Sequence, residues 1–271
     1  MALPTNHGPC FTSAMSTTLG APRPDPAAYM LRAAASAAGR GYKQELMELL
    51  DVQPGQTVLD VGCGPGADLP TLAERVGVSG TVIGVDRDPA MLAEARRRTS
   101  DLPAVEIREG DAHALPVGPS TVDRAKIDRV LMHVAEPTSV LAQLHLAARP
   151  GARIALAEPD WDTLMVDAED LETSRAFTRY TTSEVVRHAT IGRRLARHAE
   201  RAGFVVETVR ATTPVFLDFQ DADRTLGLGR NIQQAIQDGR IDEARGRPWF
   251  ASLSEGSFFA SFTLVTVICS R

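Results

Sequence analysis

The sequence predicts a doubly wound α/β protein: one sheet of seven strands with helices on both faces, an antiparallel last strand, N-terminal helices and a helical lid insertion. Three observations carry this expectation. Short apolar runs alternate with helical segments from 57 to 157, as a parallel sheet covered on both faces requires. A glycine-rich turn, "VLDVGCGPGAD", follows the first run. Acids stand just beyond the next two, in "VIGVDRD" and "EGDAHALP", where ligands collect in such sheets.

The elements follow in order. Residues 1–26 are rich in Pro, Thr, Ser and Gly without periodicity, so burial does not offset ordering entropy and a mobile leader is expected; Met15 is a candidate native start. The fold proper is expected over 27–271. Residues 27–50 carry apolar positions at helical intervals and predict one or two amphipathic helices. Strands are expected at 57–61, 81–85, 104–107, 122–127 and 153–157, with helices at 68–77, 89–98 and 137–148 between them. Pro150 and Gly151 stop the last of these helices. A polar, Arg-rich helical stretch covers 169–202, and "GFVVETVRATTPVFLDF" and "SFFASFTLVTVICSR" supply the closing strands. Residues 160–202 and 221–254 are expected to form an acceptor pocket and lid at one end of the sheet.

Composition narrows the functional classes. The 271 residues are 44% hydrophobic and 23% charged, with a net charge of −5, so no basic balance exists to neutralise nucleic-acid phosphates. No apolar run approaches the ~20 residues that cross a bilayer. Cys10, Cys63 and Cys269 are scattered and odd in number, which favours a reduced, cytoplasmic setting over a disulfide framework.

The glycine turn is the prime ligand position. Gly62, Gly64 and Gly66 let the backbone approach a ligand closely, and with Ala67 they equally satisfy a dinucleotide fingerprint. Asp60 argues otherwise. Near a pyrophosphate it sets like charges together, whereas near an ammonium group it gains a charge-assisted hydrogen bond. S-Adenosylmethionine has such an ammonium and no phosphate. Asp86 stands twenty residues past Gly66, where a carboxylate takes ribose hydroxyls; Asp111 is set to accept from the adenine amine, with Ala112 and Met91 lining the ring. Arg87 beside Asp86 and Cys63 within the turn complete the cofactor set, the cysteine as a small buried filler.

Taken together, "VLDVGCGPG", "VIGVDRDPAMLAEAR", "EGDAHALP" and "VDRAKIDRVLMHVAEPTSVLAQLHLAARPGARIALAEP", over about 58–159, resemble the class I S-adenosylmethionine-dependent methyltransferases. That family includes the menaquinone and ubiquinone C-methylases and many bacterial natural-product methyltransferases. The resemblance implies a Rossmann-like sheet and S-adenosylmethionine as cofactor. It further implies that Gly62, Gly64 and Gly66 surround the methionine portion, that Asp86 holds the ribose, and that Asp111 with Ala112 meets the adenine. His133 falls on the second histidine of the family's "LHH" pattern, with Met132 in place of the first.

Methyl transfer demands alignment of nucleophile, methyl and sulfur, and a base where the acceptor is a hydroxyl or acidic carbon. His133 is the candidate base and Asp128 the candidate contact with cofactor or acceptor, against a helix N-cap; Arg129 reads as an ion-pair partner. Tyr29, Trp161, Trp249 and Phe250 are expected to line the substrate pocket, with Tyr42 and Lys43 near the methionine end. The acids of "EPDWD" have a spacing that can ligate Mg²⁺, but a solvated loop explains them too and no metal is expected. The Arg/His-rich run 187–204 reads as a solvated helix face. The expected activity is methylation of a small-molecule acceptor, a secondary metabolite methylated first of all at oxygen, with carbon or nitrogen close behind. A cyclisation with the cofactor bound, or a nicotinamide-dependent oxidation, are the rival chemistries. A homodimer is compatible with this reading.

Overall fold

The computed structural model describes residues 25–271; the expected leader, with Cys10 and Met15, lies outside them except for its last two residues, Asp25 and Pro26, which belong to the first helix and its cap. Two helices come first, α1 (Pro26–Ala35) and α2 (Ala37–Leu50), each capped by a side chain: Asp25 accepts from the N–H groups of Ala27 and Ala28, and Ser36 from that of Gly39. Then β1 (Thr57–Val61), α3 (Leu69–Val76), β2 (Thr81–Asp86), α4 (Pro89–Arg98), β3 (Val105–Glu109), β4 (Val122–Asp128), α5 (Pro137–Ala147) and β5 (Ala148–Val166) follow. Parallel pairing runs β3-β2-β1-β4-β5. The strand order reverses beside β1, so the loops after β1 and β4 diverge and open a crevice.

The sheet is covered on both faces. Leu46, Leu50, Leu69, Leu72, Val76 and Leu92, from α2, α3 and α4, pack on Val58 and Val82. Val140, Leu141 and Leu144 of α5 pack on the other face against Val61, Ile127 and Ile154. Each such leucine or valine, fully buried, contributes roughly 1.5–3 kcal/mol.

The second half departs from expectation in three places. First, β5 does not stop near 157 but runs to Val166, because β8 (Ala260–Ser270) pairs with it antiparallel along this length, Pro159 opposite Leu264 and Asp160 opposite Thr263. "EPDWD" is therefore strand, not loop. Second, the helical stretch 169–202 is broken into α6 (Leu171–Tyr180), a π-helical turn at Thr181–Val185, a 3₁₀ turn at Gly192–Arg194 and α7 (Leu195–Arg201). Third, two strands, β6 (Val205–Thr212) and β7 (Val215–Phe216), both pair with β8, making eight strands among the described residues.

The segment 221–254 forms α8 (Phe219–Leu226), α9 (Leu228–Gln237) and α10 (Glu243–Ser252). Together with α6 and the outer ends of β5 and β8, these helices build a further hydrophobic cluster of their own, centred on Phe177, Phe219, Ile232, Trp249 and Phe250. No helix among the described residues is long and apolar enough to cross a membrane.

Candidate active site

A cavity of about 590 Å³ opens at the carboxyl ends of β1, β2 and β4, within the range of small-molecule sites. Its floor is backbone. Gly62 has φ +72° and Gly64 φ +53°, a region that L side chains enter only at a cost. A Cβ on Gly62 would overlap Val130 Cγ2, whereas one on Gly64 would meet only the mobile end of Met30, 2.8 Å from Cε. Gly66 and Cys63 lie behind this turn and do not line the cavity. Cys63 is buried, and burial pushes its thiol well above the usual range, so it serves as filler.

Asp86 and Asp111 reach the cavity, along with Arg87, Met91 and Ala112. Asp86 Oδ2 accepts from Gly64 N–H at 2.8 Å and Oδ1 from Asp88 N–H at 3.0 Å. Each oxygen keeps lone-pair capacity for a ligand hydroxyl. Asp111 Oδ1 accepts from the backbone N–H of His113 at 2.8 Å and lies 2.6 Å from His113 Nδ1. His113 Nε2 accepts from Glu136 N–H at 3.3 Å, which puts the ring proton on Nδ1, facing the carboxylate. The two bonds from His113 hold the Asp111 carboxyl below the usual range. Sequence reasoning missed His113, although its two-residue offset from Asp111 was visible.

Asp60 is the main correction. It is 1% exposed and does not line the cavity. Its register partner on β4 is Lys126, whose ammonium lies 3.1 Å from Oδ1, off the angle of a hydrogen bond. Burial, partly opposed by Lys126, pushes the Asp60 carboxyl up to about 6. Lys126 also meets Asp68 at 2.7 Å; Lys43 meets Asp68 at 2.6 Å and Asp128 at 2.7 Å. The outcome is a buried network of three acids and three bases, closed by Arg129, that ties α2 to the sheet beneath the cavity.

Asp128 ends β4 rather than capping a helix, and lines the cavity. Tyr42 Oη donates to it at 3.2 Å. Burial raises its carboxyl, but the charges of Lys43, Arg129 and Lys126 more than reverse this, so it stays ionised. Burial, with Asp128 adding to it, pushes Tyr42 up to about 12.

The next loop carries Arg129, Met132 and His133 into the cavity. It is held by Glu158, fully buried, which accepts from the N–H groups of Val130 at 2.7 Å, Leu131 at 2.5 Å and Met132 at 3.4 Å. Burial outweighs these donors and pushes the Glu158 carboxyl up to about 8. Asp160 and Asp162 instead pair with Arg193, which fixes part of the Arg-rich run to β5. The acids of "EPDWD" are thus engaged by protein partners, Glu158 by backbone and the two aspartates by Arg193, and no cluster of metal-binding side chains occurs among the described residues. The His133 ring makes no hydrogen bond among the described residues; burial, then Arg129 and Arg87, hold its pKa below the ordinary histidine value.

The outer wall joins Tyr29 and Met30 of α1, Trp161, Phe262, and Thr225, Leu226, Arg230 and Asn231 of α8 and α9. Tyr29 Oη donates to Thr225 O at 2.5 Å, joining α1 to α8 across the opening. Trp161 stacks on Phe262 with centroids 4.8 Å apart and donates Nε1–H to Met132 Sδ at 3.4 Å. Trp249 and Phe250 are not in this wall. Trp249 packs 5.2 Å from Phe177 and donates to Ser174 Oγ at 2.8 Å, while Phe250 lies edge-on to Phe219 at 5.5 Å. These large rings bury more surface among one another than in an open cleft.

The methyltransferase-domain family matches residues 53–203. A 37.1 kDa transposon-encoded protein of Streptomyces fradiae is 48% identical over 245 residues, 90% of this chain and 71% of its own length. A 2-phytyl-1,4-naphtoquinone methyltransferase of Thermosynechococcus vestitus is 36% identical over 117 residues, 43% of this chain. The chain matches about half the length of that enzyme, 52%. Among solved structures, an S-adenosylmethionine-dependent methyltransferase from Mesorhizobium loti has a TM-score of 0.54 at 20% identity, covering 85% of this chain and 99% of that one.

Proposed function

Because the chain belongs to the class I S-adenosylmethionine-dependent methyltransferases, we propose that it transfers a methyl group to oxygen of a small, largely apolar acceptor, with His133 as general base. S-Adenosylmethionine supplies a methyl carbon made electrophilic by the adjoining sulfonium. Gly62 and Gly64 receive its methionine end, Asp86 takes the ribose hydroxyls, and Asp111, Ala112 and Met91 surround the adenine. That assignment draws on the open lone pairs of Asp86 and on a floor where a Cβ at Gly62 has no room. Residues of 160–202 and 221–254 wall the acceptor, with Trp161, Phe262 and Leu226 as its apolar surface. An apolar tailoring substrate, a secondary metabolite, suits that wall.

One observation carries the base assignment. The His133 imidazole faces the cavity, lacks a hydrogen-bonding partner among the described residues, and is held neutral at pH 7 by burial and two neighbouring guanidinium charges. A neutral imidazole accepts the proton of a hydroxyl as its oxygen attacks. The relatives named for a naphthoquinone and for demethylmenaquinone support a second reading, transfer to a ring carbon, in which the same base takes a phenolic proton.

The test is incubation with methyl-labelled cofactor and a panel of phenols and quinols. His133→Ala is expected to lower turnover by about 10²- to 10⁴-fold, with kcat/KM of the unaltered enzyme rising with pH to a plateau reached below neutrality. An undiminished His133→Ala enzyme would remove the base; product without label would replace methyl transfer by cyclisation.

A further inference from the structure

The inner end of the cavity presents a cation whose hydrogen-bonding capacity the protein leaves open. Arg129 adopts φ +58°, uncommon for a long side chain and indicative of a conformation imposed by its surroundings. The imposition is visible: Arg129 N–H donates to Ala157 O at 2.9 Å, and Glu158 fixes the next three N–H groups. The guanidinium lies over the Tyr42 ring, 5.9 Å from its centroid, and lines the cavity. Its Nε is buried without a hydrogen-bond partner, and the nearest carboxylate, Asp128, is 3.6 Å away, beyond hydrogen-bonding range. The adjoining Val130 packs on Gly62, so this guanidinium shares one end of the cavity with the glycine turn.

Charge decides what that end accepts. Asp60, Asp68 and Asp128 face Lys43, Lys126 and Arg129, a neutral set. Both lysines are shared between two carboxylates, whereas Arg129 makes one loose contact. A lone anion would leave this dehydrated cluster negative; a zwitterion adds no net charge and meets both signs, Arg129 and the cavity-facing Asp128. The amino-acid end of S-adenosylmethionine is such a zwitterion. We propose that Arg129 binds its α-carboxylate, through the planar fork that guanidinium offers a carboxylate. This concerns the cofactor alone and stands whichever acceptor atom is methylated.

Calorimetric titration of the full chain with S-adenosylmethionine and with its decarboxylated analogue tests the assignment without an acceptor. The unaltered protein is expected to prefer the carboxylate-bearing compound by about tenfold or more. Arg129→Gln should weaken S-adenosylmethionine by about ten- to a hundredfold and leave the decarboxylated compound within about twofold, with Arg129→Lys in between. Retained binding of the analogue also reports that the variant is folded; should Arg129→Gln fail to fold, the two constants of the unaltered protein decide. Equal affinity of that protein for both compounds, unchanged binding by Arg129→Gln, or equal loss of both ligands would overturn the inference.

Discussion

On the side of the cavity proposed for the cofactor, the groups that would face a ligand come from strand-end turns between 62 and 112, and they are held by partners in the same turn or the adjoining one. Asp86 is fixed by Gly64 and Asp88, and Asp111 by His113. On the side proposed for the acceptor, the wall is assembled from residues as far apart as Tyr29 and Phe262, and its positions are set by long-range contacts such as Tyr29 to Thr225 and Trp161 to Phe262. The first set is held by local turns, while the second depends on packing between segments far apart in the chain. The buried charge network and the Glu158 clamp join the two.

The largest expected effect lies in that joint. Lys126→Met leaves Asp60 buried without its counter-charge and Asp68 with half of its own, a loss of about 3–5 kcal/mol, read from denaturant unfolding. A variant of undiminished stability would mean that the network does not hold the two sides together.

Within the cofactor side, Gly62→Ala and Gly64→Ala should separate. Both are strained at positive φ, but only the first drives a methyl into Val130. Gly62→Ala should cost about 1–3 kcal/mol more than Gly64→Ala and weaken S-adenosylhomocysteine more strongly in calorimetry. Equal effects would make the floor of the cavity a matter of backbone strain alone.

The clamp has a pH signature. Glu158 has a folded pKa of about 8, above the unfolded value, so the native state binds the extra proton. Its contribution to stability is full below the unfolded pKa and is lost as pH rises through about 8. The lowered Asp128 acts with opposite sign, losing its contribution as pH falls through its folded value. The stability difference between the unaltered protein and Glu158→Gln isolates the clamp: it should shift in favour of the variant as pH rises from about 5 to 8, measured by unfolding across that window. A difference independent of pH would show that Glu158 does not titrate there.

The contrast between the two sides also explains what the sequence made legible. The parallel strands, the glycine turn, Asp86 and Asp111 follow from local periodicity and short spacing, and the structure puts them at one cavity. Asp60 did not follow, because its partner Lys126 is a register neighbour on a strand 66 residues later. A lysine between Ala125 and Ile127 in a strand expected at the centre of the sheet was the available signal, since a buried ammonium needs a carboxylate. Arg129 read as an ion-pair partner and does lie 3.6 Å from Asp128, but it also lines the cavity, which its sequence position did not announce. Trp249 and Phe250 were drawn to the pocket by their aromatic character, a property that equally serves the separate hydrophobic cluster where they reside. The extension of β5 through "EPDWD" depended on β8, about a hundred residues away in sequence, and no local pattern announces it.

The division of labour is tested most directly by titrating S-adenosylhomocysteine into Asp86→Asn and His133→Ala. Asp86→Asn should weaken binding by about 1–3 kcal/mol through lost charged hydrogen bonds, while His133→Ala binds as the unaltered protein does. Equal affinities for all three proteins would contradict the placement of the cofactor on Asp86, and a matching loss in His133→Ala would contradict the separation of cofactor from acceptor side.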